Sequence, residues 1–268
     1  MRLLEVKALG NFVSLIHNEN IKIYRRIRTW IMLLIVAAMS TLLPVLVYFT
    51  SDGESTIGLW SNFQTTTSVS FFLVTIFTVV VAADSVAGEF TWGTVKLLLI
   101  RPWSRSKILL SKYLSVVLFS LLSTAVLIAF GLGASYLFSS STSGGITDAA
   151  SWTPAEYAFM EILCRYVDLF VTTALAFMVS SVFRASGLAI GLSMFIMFAK
   201  DIFVAIFNPD RFEWARYLIF SHMDLRSYLL TDTVGGSTLG FAVGVLAAYY
   251  VLFLAVAWIV FRKRDVAA

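Results

Sequence analysis

Cysteine occurs once in the chain, at Cys164, so neither an intramolecular disulfide nor a cysteine-built metal cage can form. Histidine is nearly as scarce, with only His17 and His222. The topology argued below puts them on opposite sides of a membrane, where they cannot share a metal. The sequence has no G-x-x-x-x-G-K-[ST] loop to cradle phosphates, no H-E-x-x-H and no G-x-S-x-G. An intrinsic ATPase, a zinc protease and a haem-ligating protein all lose ground. Charge is the largest deficit. Charged residues make up 13% of the chain, about half the ~25% of soluble domains, whereas 59% are hydrophobic and the mean hydropathy is +0.86. Such a chain belongs in a bilayer.

A membrane-spanning helix needs ~20 mainly apolar residues to cross a hydrocarbon core of ~30 Å, because its backbone must satisfy its own hydrogen bonds. Six runs qualify: Trp30–Phe49, Val69–Val86, Tyr113–Phe138, Ala158–Phe183, Ser186–Phe207 and Leu239–Phe261. They are too long, and alternate too little, for the strands of an outer-membrane barrel. No secretory signal is expected, since the first apolar run starts only at Trp30 and no small-residue cleavage pattern follows it.

Lysine and arginine set the orientation, because basic loops resist translocation. Arg2, Lys7, Lys22, Arg25, Arg26 and Arg28 precede the first span, basic residues crowd the segment between spans two and three, Arg184 follows span four, and Arg262, Lys263 and Arg264 follow the last. Both termini are therefore expected in the cytoplasm, in the cell membrane. The net charge of +4 reflects this bias and implies no nucleic-acid partner.

Before the first span, Leu9, Val13, Ile16, Asn20, Ile23, Ile27 and Trp30 recur at steps of four and three, with Lys22, Arg25 and Arg26 largely off that stripe. Residues 1–29 read as a cytoplasmic amphipathic helix lying among lipid headgroups, or as an ordinary helix packed on protein. Pro44 is expected to bend the first span. The stretches SDGESTIGLWSNFQTTT and SSSTSGGITDAASWTP read as external loops. Between spans five and six, residues 208–237 are too charged to cross and too apolar for a free loop, which predicts one or two short re-entrant helices on the external side. The fold class is all-α membrane protein, with residues 30–268 as one six-helix transmembrane domain.

Ionisable residues inside a span cost roughly 2.5–3.5 kcal/mol each on insertion scales, so they are functional candidates. Glu161, Arg165 and Asp168 fall on one stripe of the fourth span and can neutralise one another or line an exit path. Lys200 and Asp201 are adjacent on the fifth span and point about 100° apart, so at least one needs a partner on another helix. An interhelical pair and a proton or ion relay both fit.

Between spans two and three, AGEFTWGTVKLLLIRPWSRSKILLSK (residues 87–112) interrupts the apolar runs with an acidic start, a basic end, and Gly93 and Pro102 between them. In Glu89, Gly93, Thr94, the apolar run 97–100, Pro102, Ser104, Arg105 and Lys112 it resembles the signature of ABC-2 type transporter permeases. The start NENIKIYRRIRTWIM is similar to that family's interfacial helix. The resemblance implies a permease paired with itself or a sister subunit, and with two copies of a separate ATP-binding subunit that carries ATP and magnesium. This chain would hold no cofactor or metal. Residues 87–112 would be the coupling element, with Glu89, Arg101, Arg105 and Lys112 as its charges. Glu89 and Arg105 would meet the ATPase, Gly93 would allow close approach and Pro102 would fix the turn. Export of an antimicrobial peptide, a drug, an ion or a lipid-linked substrate, and self-immunity, all suit such a permease. A membrane-embedded enzyme using Glu161, Asp168 or Lys200 would instead turn over without ATP. A passive channel or sensor would ignore any ATPase.

Overall fold

The apolar runs of the sequence are helices in the computed structural model, which describes residues 2–50, 58–94, 103–139, 152–183, 185–207, 212–231 and 233–263, with side chains in the first helix from residue 12. Helix α1 (Arg2–Tyr24) is followed by α2 (Ile27–Thr50), α3 (Leu59–Thr91), α4 (Arg105–Leu137), α5 (Pro154–Val182) and α6 (Ser186–Ile206). Two 3-10 turns (Glu213–Tyr217 and Ile219–His222), the single-turn α7 (Ser227–Leu230) and a two-stranded hairpin lead into α8 (Leu239–Lys263). In that hairpin β1 (Thr233–Val234) runs antiparallel to β2 (Ser237–Thr238), with Thr233 opposite Thr238. Six helices, α2 to α6 and α8, are long and apolar enough to cross a membrane. The molecule is a nearly all-helical, multi-pass membrane protein.

Helices α3 and α4 exceed their expected spans, at 33 residues each. At ~1.5 Å per residue each is about 50 Å long, well beyond a ~30 Å hydrocarbon core. The extra length of α3 includes part of the stretch read as a loop. From Leu59 onward it is helical, and Asn62, Gln64, Thr66 and Thr67 are buried. Hydropathy misread these residues because they are polar, although the Thr66 hydroxyl has a local partner, donating to the Asn62 carbonyl at 2.8 Å, one turn back. Residues 51–57 and 140–151 lie outside the described part.

Local signals place the starts of α4 and α5. Thr153 and Glu156 form a reciprocal capping box with Pro154 at the first helical position, which starts α5. Ser104 caps α4 by accepting from the Lys107 amide. Pro44 sits buried inside α2, which continues as helix to Thr50.

Helix α3 is the hub and packs against α5, α4, α6 and α2, while α8 lies along α5. Small residues carry the central contacts, among them Ala82, Ala83, Ala174 and Ala176, all without exposed surface. They let helices approach closely enough for the Ser180 hydroxyl of α5 to accept from the Ala87 amide of α3 at 3.0 Å. The outward faces stay apolar, with Leu34, Phe195, Ile202 and Val251 all more than half exposed, as lipid contact requires.

Helix α1 packs on α4. It turns Leu15 and Glu19 inward and leaves Val13 exposed, while Ile27 and Trp30, at the start of α2, are exposed too. The stripe running from Val13 to Trp30 is therefore exposed at its two ends and half-buried at Ile16, Asn20 and Ile23 between them.

Candidate functional site

Two ion networks tie the helix ends that flank residues 95–102. In the first, Lys112 of α4 donates to Glu19 of α1 at 2.8 Å and to Glu89 of α3 at 3.0 Å. Lys22 of α1 donates to the same two carboxylates, at 2.8 Å each. Thr94 donates its hydroxyl to Glu89. The Lys112 side chain is only 3% exposed, against 9% for Glu19 and 14% for Glu89. A buried cation with two carboxylates joins α1 to the consecutive helices α3 and α4.

Asp84 centres the second network. Arg26 and Arg28, at the α1–α2 junction, both donate to one oxygen of its carboxylate, and the Ser186 hydroxyl donates to the other. Ser186 opens α6, which lacks a side-chain cap of its own. Helix α3 supplies that function, because Thr91 accepts from the Ser186 amide at 3.0 Å and Asp84 adds negative charge at the positive end of the helix dipole. Gly88 makes room: a Cβ there would stand 2.9 Å from an Asp84 carboxylate oxygen.

Gly93 ends α3 at a φ of +69°, a left-handed conformation that suits glycine, and its amide donates to the Phe90 carbonyl at 3.2 Å. Beyond the undescribed stretch, Trp103 lies under Lys107, whose ammonium is 5.8 Å from the ring centroid. Arg105 donates to the Arg262 carbonyl of α8 at 3.1 Å. Of the coupling residues expected from sequence, Glu89, Thr94 and Lys112 thus meet in one network. Gly93 and Arg105 flank it, and Arg101 and Pro102 lie outside the described residues. Glu89 points into the network, so any influence on a partner runs through the position of α3.

Glu19 went unnoticed in the sequence, where it is one charge on a short polar stretch. Burial pushes its carboxyl upward, but Lys112 and Lys22 outweigh this and hold it below the ordinary glutamate value of 4.5. A carboxyl lowered by folding stabilises the fold above its ordinary value and stops doing so as pH falls beneath it. Acidification through pH 4.5 is therefore expected to lower the thermal midpoint of the wild type more than that of Glu19→Gln; parallel profiles would exclude Glu19 as a source.

The opposite end of the bundle holds the intramembrane charges. Arg165 donates to Glu161 at 2.9 and 3.1 Å and to Ser68 of α3 at 2.8 Å. Arg226, just before α7, reaches Glu161 at 3.5 Å and Asp224 at 3.1 Å. The three-residue ladder expected on α5 is therefore only two residues long. Among the described residues Asp168 makes no ion pair, and one of its carboxylate oxygens is buried without a hydrogen bond. The cation that acts on it most strongly is Lys200 of α6. Asp201 points away and is exposed. His222 is 2% exposed; its Nε2 lies 2.7 Å from the Arg216 carbonyl, which can only accept, so Nε2 carries the proton. Among the described residues no group of His, Cys, Asp and Glu could hold a metal ion.

Comparison with known proteins adds a family and relatives. The family model described as "Protein of unknown function (DUF2705)" matches residues 26–267. The Bacillus subtilis (strain 168) protein YhcI, described as uncharacterized, is 37% identical over 223 residues, covering 78% of this chain and 69% of the relative. YdbK of the same organism, described as an uncharacterized membrane protein, is 28% identical over 253 residues, 91% of this chain and 99% of the relative. The probable ABC transporter permease protein NosY of Stutzerimonas stutzeri is 29% identical over 188 residues, 67% of this chain and 66% of NosY.

Proposed function

This chain belongs to the DUF2705 family, and we propose that within that family it is the membrane subunit of an ABC-2 type transporter, driven by a separate ATP-binding subunit. Both termini face the cytoplasm of a cell-membrane protein, α1 lies in the headgroup region, and residues 212–231 and 233–238 form the external cap. One observation carries the reading: both described ends of the coupling segment are clamped by buried ions to α1, α3 and α4. A partner that pushes on residues 95–102 therefore moves helices rather than a slack loop. Such a frame suits coupling, because a ligand shifts a conformational equilibrium only through contacts that differ between the two states. The similarity to NosY supports the same class.

Two permease subunits would enclose the pathway, and two ATPase copies would bind ATP and magnesium beneath them. The substrate would leave the cell, with a peptide, a drug, an ion or a lipid-linked molecule as the classes to screen. Arg105, whose guanidinium joins α4 to α8 close to the segment, is the expected direct contact. The test is co-purification with an ATP-binding subunit, sought first in the adjacent reading frame. Arg105→Ala is expected to weaken capture about tenfold, the loss of one charge-assisted contact of roughly 1.5 kcal/mol. Transport by the purified chain with no ATPase present would refute the proposal.

A further inference from the structure

A cavity of about 940 Å³ opens between α1, the start of α2 and the adjoining ends of α3 and α4. Its charges divide unevenly. On the α4 side Glu19 and Glu89 are matched by Lys22 and Lys112. On the other side, among the described residues, Asp84 alone pairs with Arg26 and Arg28, which leaves one positive charge unbalanced. Both arginines direct an N–H at the same carboxylate oxygen, and the Nε of Arg28 is buried with no hydrogen-bond partner. A guanidinium has five N–H donors, so most of the donor capacity is left for an incoming anion.

The same cavity is lined by Ile23, Ile27 and Trp92. Ile27 is 79% exposed and Trp92 74% exposed. Ile27 opens a membrane-crossing helix and Trp92 ends another, so this mouth sits at the edge of the hydrocarbon, where headgroups lie and tryptophan is enriched.

We propose that this cavity binds the phosphate of an anionic phospholipid, held by Arg26 and Arg28, with the glycerol and first methylenes against Ile27 and Trp92. The phosphate would neutralise the excess charge, because guanidinium and phosphate form short charge-assisted hydrogen bonds through the N–H groups that Asp84 leaves free. A soluble phosphate ester would meet the same donors but would leave the apolar mouth uncovered. The site is independent of the transport role, since binding is measured on this chain alone.

The test uses the purified full chain in mixed micelles, with phosphatidylglycerol or phosphatidylcholine brominated near the headgroup as quenchers of tryptophan fluorescence. The chain has seven tryptophans, so the signal of Trp92 is taken as the difference from Trp92→Phe. Half-quenching of Trp92 is expected at a roughly fivefold lower mole fraction of phosphatidylglycerol, the preference due to one unbalanced cation near an anionic lipid. Arg26→Gln combined with Arg28→Gln should abolish that preference. Arg26→Lys with Arg28→Lys keeps the charge and should retain part of it, which guards against a glutamine variant that fails to fold. Equal quenching by the two lipids would overturn the proposal, as would a preference that survives the glutamine changes. Loss of the preference in millimolar glycerol phosphate would assign the cavity to a soluble ester and overturn the lipid.

Discussion

Lys112→Met is expected to destabilise the protein by about 3–5 kcal/mol, the usual cost of removing one partner from a buried ion pair. The magnitude follows from where the charge sits. Lys112 is almost fully enclosed, and Glu19 and Glu89 are nearly so. Without it the two carboxylates share only Lys22, whose side chain is 45% exposed. Adding Glu19→Gln and Glu89→Gln to Lys112→Met should recover much of the loss, since neutral amides no longer need a buried cation. The measurement is the unfolding free energy in a denaturant titration of detergent-solubilised protein. A Lys112→Met variant within ~0.5 kcal/mol of wild type, the range of ordinary surface changes, would show that the network holds nothing together.

Asp84→Asn should act on function more than on the fold. Arg26 and Arg28 are 42% and 38% exposed, so water can solvate them once the carboxylate is gone, and the fold loses little. What goes is the link from the α1–α2 junction through α3 to the start of α6. If that link transmits ATPase closure to the spans, substrate stimulation of ATP hydrolysis should fall by a factor of about 5–150, the range of a 1–3 kcal/mol coupling energy. Unchanged stimulation, with the ATPase still bound, would place transmission elsewhere. The two variants thus separate cohesion from coupling: Lys112→Met threatens the first and Asp84→Asn the second.

The six spans were legible in the sequence because apolar length alone specifies them. Their ends were not. Asn62, Gln64, Thr66 and Thr67 look like a loop, yet they are buried in a helix, where the Thr66 hydroxyl bonds the carbonyl one turn back. Glu161 and Arg165 could be paired from their i, i+4 spacing. Arg226, which reaches Glu161 from 65 residues further along, could not. Lys112 was visible as part of a basic segment, but its partners lie 93 and 23 residues away, and no local pattern links Glu19 to Glu89. Charges that meet through tertiary packing leave no periodic trace. The coupling segment stood out for the opposite reason, as a concentration of charge where the surrounding chain has almost none.

Helix α3 carries Asp84 and Glu89 near one end and Ser68, which holds Arg165, near the other. From Ser68 to Asp84 the rise is about 24 Å at ~1.5 Å per residue, with no break between. A rod of that kind behaves as a see-saw. If it pivots as one body, tilting it where one charge cluster grips swings the other cluster the opposite way, so the two clusters share a single rigid beam.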